Sequence, residues 1–273
     1  MPSRAARHPR LIAAAAAFAA AALCLVAAAP PASAQSSVRY VALGDSYSSG
    51  LGAGSYTSSS GSCDRSTKAY SQLWANANAP ASYVSVACAG ATTGSVISTQ
   101  LSALSSATTL VSITIGGNDV GFSSTMETCV LESTSSCVSA IDADEAEVTS
   151  VLPGELDNTL GDIAGRAPGA RVVVLGYPEL YDLSQSWICI GLSTTDRTDL
   201  NQAADELDSA IQAAAARHGD TFVNVQPNFA GHEICDSSSW LHSVNFLDLS
   251  ESYHPTAAGQ ADAYYPAFSS AAG

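Results

Sequence analysis

The chain is poor in cations. Ten Lys and Arg stand against 25 Asp and Glu, and Lys68 is the only lysine. A formal charge of −15 excludes binding to nucleic acid or to an anionic membrane by charge. None of the seven cysteines forms a Cys-x-x-Cys pair, which excludes the usual spacing of a structural zinc site. Beyond the N-terminal leader there is no Gly-x-Ser-x-Gly, so the strained elbow on which that motif presents a serine is absent. Tryptophan is scarce, with only Trp74, Trp187 and Trp240, which leaves little indole to line a sugar cleft. No linker, internal repeat or second domain is visible.

What is present begins with an address. Arg4, Arg7 and Arg10 precede an Ala/Leu-rich run over residues 11–29, and Ala32-Ser33-Ala34 is a small-residue cleavage pattern. This predicts a secretory signal peptide over residues 1–34, removed on export, with an uncleaved anchor as the rival. Cys24 falls in the removed segment, since Leu23 stands where a lipoprotein site needs a small residue. Residues 35–273 then form one domain of 239 residues, enough for a full core. Seven basic residues remain against 25 acidic, a formal −18. The expectation is a secreted, extracellular, monomeric protein without stable membrane insertion or a nucleic-acid partner. Six cysteines stay with it: Cys63, Cys88, Cys129, Cys137, Cys189 and Cys235. An even number in an exported chain predicts three disulfides. Sequence leaves the pairing open, the simplest scheme being pairing in chain order.

Five apolar, β-rich runs (38–43, 83–87, 110–115, 171–175 and 222–225) alternate with segments of helical composition. The latter are 69–77, 96–104, 146–164 (broken near Pro153-Gly154), 197–217 and 256–268. Alternation of this kind predicts βαβ units and a parallel sheet. Leu200, Ala204, Leu207 and Ile211 share one face of the fourth helix, which Thr195 or Asp196 can cap. Segments 50–66 and 125–143 are Ser-rich and carry cysteines, and are expected to be irregular loops over the site, pinned by disulfides.

Chemistry is concentrated at element boundaries. The first strand ends in Gly44-Asp45-Ser46-Tyr47, which puts Ser46 at the carboxyl end of a strand, where open α/β sheets bind ligands. Without further context such a serine is a helix cap. The second strand leads to Cys88-Ala89-Gly90-Ala91, where Gly90 either relieves a turn or brings a bare N–H to a ligand. The third leads to Gly116-Gly117-Asn118-Asp119, an ordinary turn or a mount for the Asn118 amide. Near the C-terminus Ser252-Tyr253-His254-Pro255 puts His254 just before a helix that Pro255 can begin. The other histidines are weaker candidates. His8 lies in the leader and His218 ends a helix, where a cation suits the dipole. His232 adjoins Glu233, and His242 has no motif around it although it can line the cleft.

Taken in order, these four segments resemble the blocks of the SGNH, or GDSL, hydrolases, with Tyr47 in place of the usual Leu. Gly176-Tyr177-Pro178 resembles the secreted actinobacterial lipases and esterases of that family. The resemblance covers nearly all of residues 35–273. It implies a three-layer α/β/α sandwich, flavodoxin-like, with a five-stranded parallel sheet in the order 2-1-3-4-5. It further implies a serine hydrolase cleaving lipid or simple acyl esters through an acyl-enzyme on Ser46. His254 is then the base, and Ser46, Gly90 and Asn118 supply an oxyanion hole, with no cofactor and no metal. Phospholipase A1-type cleavage is the near alternative. A carbohydrate deacetylase or a non-catalytic secreted binding module is the alternative of another class. The family's usual acid, an Asp three residues before the base, is here Glu251, one methylene longer. The carbonyl of Ser252 is the other candidate to hold His254, as in family members that lack the acid.

Overall fold

A computed structural model of the chain describes residues 1–3, 36–184 and 191–273. Nearly all of the leader expected at 1–34 lies outside the described residues, as do Trp187 and Cys189. The chain divides into two compact units, 1–34 and 35–273, and every described strand and helix belongs to the second.

Strands β1 (Arg39–Ala42), β2 (Ser82–Ser85), β3 (Leu110–Ile113), β4 (Arg171–Leu175) and β5 (Thr221–Val223) form an all-parallel sheet in the order β2-β1-β3-β4-β5. This is the flavodoxin-like α/β fold with the order that the resemblance implies. All four residues of β3, and all of β4 except Arg171, are buried. Strands covered on both faces read as continuous apolar runs rather than alternating ones, which is why they stand out in the sequence. Ser112, in the middle of β3, is fully buried and satisfied by the hydroxyls of Tyr40 (2.7 Å) and Tyr70 (3.2 Å).

The helices are α1 (Ser46–Ser49), α2 (Tyr70–Asn78), α3 (Thr93–Ser95), α4 (Phe122–Leu131), α5 (Thr134–Ser150), α6 (Leu152–Arg166), α7 (Thr194–His218), α8 (Gln226–Phe229) and α9 (Tyr265–Ala272). Helices α2 and α9 pack together, and their Trp74 and Phe268 rings lie 5.3 Å from that of Tyr40. Helices α5, α6 and α7 pack against one another.

Several expectations are corrected. Segment 125–143 is not irregular: it holds most of α4 and the first half of α5, clamped by the Cys129–Cys137 disulfide. Cys137, Ile141 and Val148 are the buried face of α5, at i, i+4 and i+11. The Ser/Thr-rich composition masked this: most of these residues lie on the outer side and Ser133 caps the helix, while Thr125 alone among them is buried. The segment 146–164 is broken as expected, but the break is at Val151 rather than at Pro153-Gly154. Pro153 sits in the first turn of α6, where its missing N–H does no harm. The cap of α7 is Ser193, not Thr195 or Asp196. Its hydroxyl accepts from the Asp196 N–H at 3.1 Å, and the Asp196 carboxylate accepts from the Ser193 N–H at 2.9 Å. That is a capping box. The segments expected as helices over 96–104 and 256–268 contain π turns at Val96–Gln100 and Gly259–Tyr264. Segment 50–66 is a loop with a short 3-10 turn, tied to the end of β2 by the Cys63–Cys88 disulfide. The two described pairs follow chain order, and Cys235 is also disulfide-bonded.

After β1 the chain passes so close to the continuation of β3 that only glycine fits. Leu43 N–H bonds the Ser112 carbonyl (2.9 Å) and Asp45 N–H the Thr114 carbonyl (3.0 Å). Between them Gly44 has φ +118°, and a Cβ there would collide with the Thr114 carbonyl oxygen and come within 2.9 Å of its nitrogen. Gly44→Ala therefore meets both a forbidden dihedral and backbone overlap. We expect a loss of about 2–4 kcal/mol and a Tm lower by about 5–15 °C for a domain of this size. A thermal melt checks this, and an unchanged Tm would contradict it.

Candidate active site

The site lies beyond the carboxyl ends of β1, β2 and β3, around the point where strand order reverses. Asp45 caps the short helix α1 by accepting from the Tyr47 N–H at 2.9 Å, so the cap is Asp45 and the next residue, Ser46, begins the helix. The turn after β2 is tied to the turn after β1 by Cys88 N–H donating to the Gly44 carbonyl at 3.0 Å. Asn118 in turn donates from Nδ2 to the Ala91 carbonyl at 3.0 Å, which leaves its second amide hydrogen for another acceptor. Asp119 accepts from the Thr93 N–H (2.9 Å) and hydroxyl (2.6 Å) and clamps the same two turns. The structure thus gathers the Ser46, Gly90 and Asn118 turns. Gly90 is exposed, with φ +74° and nothing within 4 Å of a built Cβ, so its backbone borders open space.

His254 arrives from the other end of the chain. Its Nε2 lies 2.7 Å from Ser46 Oγ and its Nδ1 lies 2.9 Å from the Ser252 carbonyl oxygen. A carbonyl only accepts, so Nδ1 carries the proton and Nε2 is left to accept from the Ser46 hydroxyl. Glu251 does not reach the ring: its Oε1 accepts from the Tyr56 hydroxyl, which itself accepts from the Gly52 N–H at 2.9 Å. The loop geometry depends on Tyr253, which is held in the left-handed region at φ +66°. Its carbonyl accepts from the Tyr47 hydroxyl at 2.7 Å. Backbone bonds with His242, both 3.0 Å, brace Tyr253 and His254 from the other side. Burial lowers the His254 pKa to about 4, with the neighbouring His242 acting in the same direction and the Ser252 carbonyl opposing.

The other described histidines make different bonds with their rings. His218 pairs with Asp157 at 3.2 Å. His232 stacks on Trp240 at 3.5 Å and meets the Ser238 carbonyl, not Glu233. His242 donates from Nε2 to the Gly52 carbonyl at 2.8 Å. Among the described residues no group of three His, Cys, Asp or Glu side chains is placed to hold a metal ion.

Sequence reasoning passed over two residues. The Asp45 carboxylate is buried, and burial raises its pKa to about 7 against the pull of its hydrogen bonds. One of those bonds comes from the Tyr177 hydroxyl, which also accepts from the Gly117 N–H at 3.1 Å. Tyr177 therefore joins the Ser46 turn to the Asn118 turn. Its signal is Gly176-Tyr177-Pro178 at the end of β4, a motif visible in the sequence but without a role there. Two openings flank the site. A groove of ≈ 470 Å³ beside His254 is lined mainly by apolar side chains, Phe122, Met126 and Val130 among them. A more polar cleft of ≈ 410 Å³ lies beside Asn118 and Asp119.

Residues 42–261 match the model of the GDSL-like Lipase/Acylhydrolase family. Among curated proteins, the chain is 58% identical to Lipase 1 of Streptomyces coelicolor over 233 residues, covering 85% of this chain and 86% of the other. It is 51% identical to a lipase of Streptomyces rimosus, with the same coverage. Among solved structures it is similar to phospholipase A1 from Streptomyces albidoflavus, with TM-score 0.84, 52% identity, and coverage of 86% of this chain and 99% of that one. The extracellular lipase of Streptomyces rimosus superposes with TM-score 0.83 at 50% identity, with the same coverage.

Tyr177→Phe leaves the Asp45 carboxylate and the Gly117 N–H without this partner in a buried place, a loss of about 1–3 kcal/mol. The loss depends on pH. The folded pKa of Asp45 lies above its unfolded value, so its contribution to stability is present at low pH and is lost as pH rises through about 7. Removing the Tyr177 hydrogen bond raises that pKa further. The Tm deficit of the variant should then be larger at pH 8 than at pH 5. Melts at the two pH values test this, and equal deficits would contradict it.

Proposed function

The chain belongs to the GDSL-like lipase/acylhydrolase family and is a carboxylic ester hydrolase, and from that premise we propose that Ser46 is its nucleophile and His254 its general base. The observation that carries the assignment is the 2.7 Å hydrogen bond between Ser46 Oγ and His254 Nε2, with Nδ1 held by a carbonyl. Nε2 takes the hydroxyl proton as Oγ attacks the ester carbonyl. Charge then develops on the carbonyl oxygen, which the N–H groups of Ser46 and Gly90 and the free amide hydrogen of Asn118 receive. Such a preorganised donor is worth about 100- to 1000-fold. The imidazolium returns its proton to the departing alcohol, and water hydrolyses the acyl-enzyme by the same route.

A pKa of about 4 makes His254 neutral, and so ready to accept, throughout the ordinary pH range. The burial that depresses it also opposes the imidazolium. The oxyanion formed beside it supplies a compensating negative charge only once attack begins, so the effect favours the transition state over the ground state. The Ser252 carbonyl supports the imidazolium by its dipole, and Glu251 serves to brace the Tyr56 loop.

The substrate is an acyl ester of a lipid, and the apolar groove beside His254 supports that class. A carbohydrate deacetylase fits less well. Of the two described tryptophans, Trp74 is in the core and Trp240 has one face covered by His232, and neither lines the groove beside His254. The enzyme acts outside the cell as a monomer. Its disulfides suit an oxidising compartment, and none of the described helices is long and apolar enough to cross a membrane.

Two variants test the assignment on a soluble ester. Ser46→Ala should abolish turnover and covalent labelling by a serine-directed probe while leaving the melt unchanged. Glu251→Gln should lower kcat/KM by less than about tenfold, far from the ~10⁴-fold effect of a true triad acid. Near-normal hydrolysis by the first, or a thousandfold loss in the second with the fold intact, would overturn it.

The pH profile is a separate check. Activity requires neutral His254, so kcat/KM should fall only as pH drops through about 4, the value for the free enzyme. An acid limb centred at the ordinary histidine value of about 6.5 or above would contradict a desolvated base.

A further inference from the structure

The groove beside His254 does not end at the catalytic pair. Its outer edge carries Leu131, Phe246 and Leu249, all exposed, and next to them Leu247, which is 100% exposed. Large apolar side chains grouped around one opening mark an interaction site, whereas single ones need no explanation. The loop is built to hold them outward. The Asn245 side chain accepts from the N–H groups of Leu247 (3.1 Å) and Asp248 (3.3 Å), while Asn245 N–H is anchored on Ser252 Oγ at 2.9 Å. The same chain then runs directly into Tyr253 and His254.

We propose that Leu131, Phe246, Leu247 and Leu249 form a docking surface for a zwitterionic lipid layer, from which one apolar chain of the substrate enters the groove beside His254. This rests on the reading of Ser46 and His254 as the catalytic pair. Continuity with the groove selects lipid as the occupant, because the apolar rim runs without a break into the apolar groove that ends at His254, the hydrogen-bond partner of Ser46. Charge selects the kind of lipid. Segments 122–132 and 244–254 contain no Lys or Arg, and Glu127, Glu132 and Asp248 are exposed there. The chain as a whole carries −15. An anionic surface is repelled, so attachment is hydrophobic and insensitive to salt. A second copy of the chain is disfavoured by the same charge.

The experiment uses the Ser46→Ala protein, so that binding is read without hydrolysis, and phosphatidylcholine vesicles with and without added phosphatidylglycerol. Cosedimentation should show binding to phosphatidylcholine at both low and high salt, and weaker binding when the anionic lipid is added. Adding Leu247→Asp should weaken vesicle binding by about tenfold or more. With Ser46 intact, Leu247→Asp should keep hydrolysis of a short water-soluble ester within about twofold, as expected for an exposed side chain outside the groove. Unchanged vesicle binding by Leu247→Asp, or tighter binding to the anionic vesicles, would overturn the proposal. So would a dimer in sedimentation velocity that Leu247→Asp dissolves. If the unaltered protein lacks activity on the soluble ester, the catalytic reading fails, and the vesicle measurements still decide the docking surface.

Discussion

The buried carboxylate of Asp45 is the point on which the site turns. Taking a carboxylate out of water is costly unless hydrogen bonds meet it. Here the Tyr47 N–H meets one oxygen and the Tyr177 hydroxyl the other. The first bond starts the helix that carries Ser46. The second reaches Tyr177 at the end of β4, whose hydroxyl is itself fixed by Gly117 at the end of β3. One ionisable group thus sets three strand ends relative to one another. Its pKa of about 7 shows that burial outweighs those bonds.

A second set of contacts brings in the C-terminal segment. Tyr47 stands where the family usually has Leu, and its hydroxyl bonds the Tyr253 carbonyl, joining the neighbour of Ser46 to the neighbour of His254. Tyr253 is in the left-handed region, a conformation that disfavours a bulky residue by about 1–2 kcal/mol. Its carbonyl bond, the backbone bonds with His242 and the Tyr181 hydroxyl at 3.2 Å offset this. The turn at Tyr253 lets the Ser252 carbonyl face Nδ1 of a residue only two positions later. The group that faces His254 Nδ1 is therefore a local backbone atom, while Glu251 bonds Tyr56.

The groove and its rim extend the same logic outward. Helix α4 supplies one wall and the 244–252 loop the other. The loop's own hydrogen bonds terminate at Ser252, so the exposed apolar rim and the carbonyl that faces His254 Nδ1 are covalently continuous. Acidic residues on both walls and the scarcity of cations throughout are what make the proposed attachment to lipid one of apolar contact.

Much of this could be read from the chain itself. The doubly covered β3 and β4 were legible as apolar runs, whereas the half-exposed β2 and β5 were legible from their β-branched and aromatic residues. The Gly-Asp-Ser, Gly90 and Gly-Gly-Asn-Asp segments were legible because turns at strand ends need glycine and short polar residues, and His254 because Pro255 marks the start of a helix beside it. Helices α4 and α5 were obscured because Ser and Thr dominated a segment whose buried face, Cys137, Ile141 and Val148, is sparse. Residue types and their spacing along one strand or helix were thus determined by the sequence alone, since they answer to local dihedrals and to burial of one face. Tertiary structure decided everything that depends on how distant segments meet. Ser46 and His254 are 208 residues apart, Tyr177 found Asp45 132 residues away, and Glu251 was taken by Tyr56 across 195 residues. That a carbonyl and not a carboxylate faces Nδ1 goes with the left-handed turn at Tyr253 and the capture of Glu251 by Tyr56, both of which involve distant partners that no local pattern names.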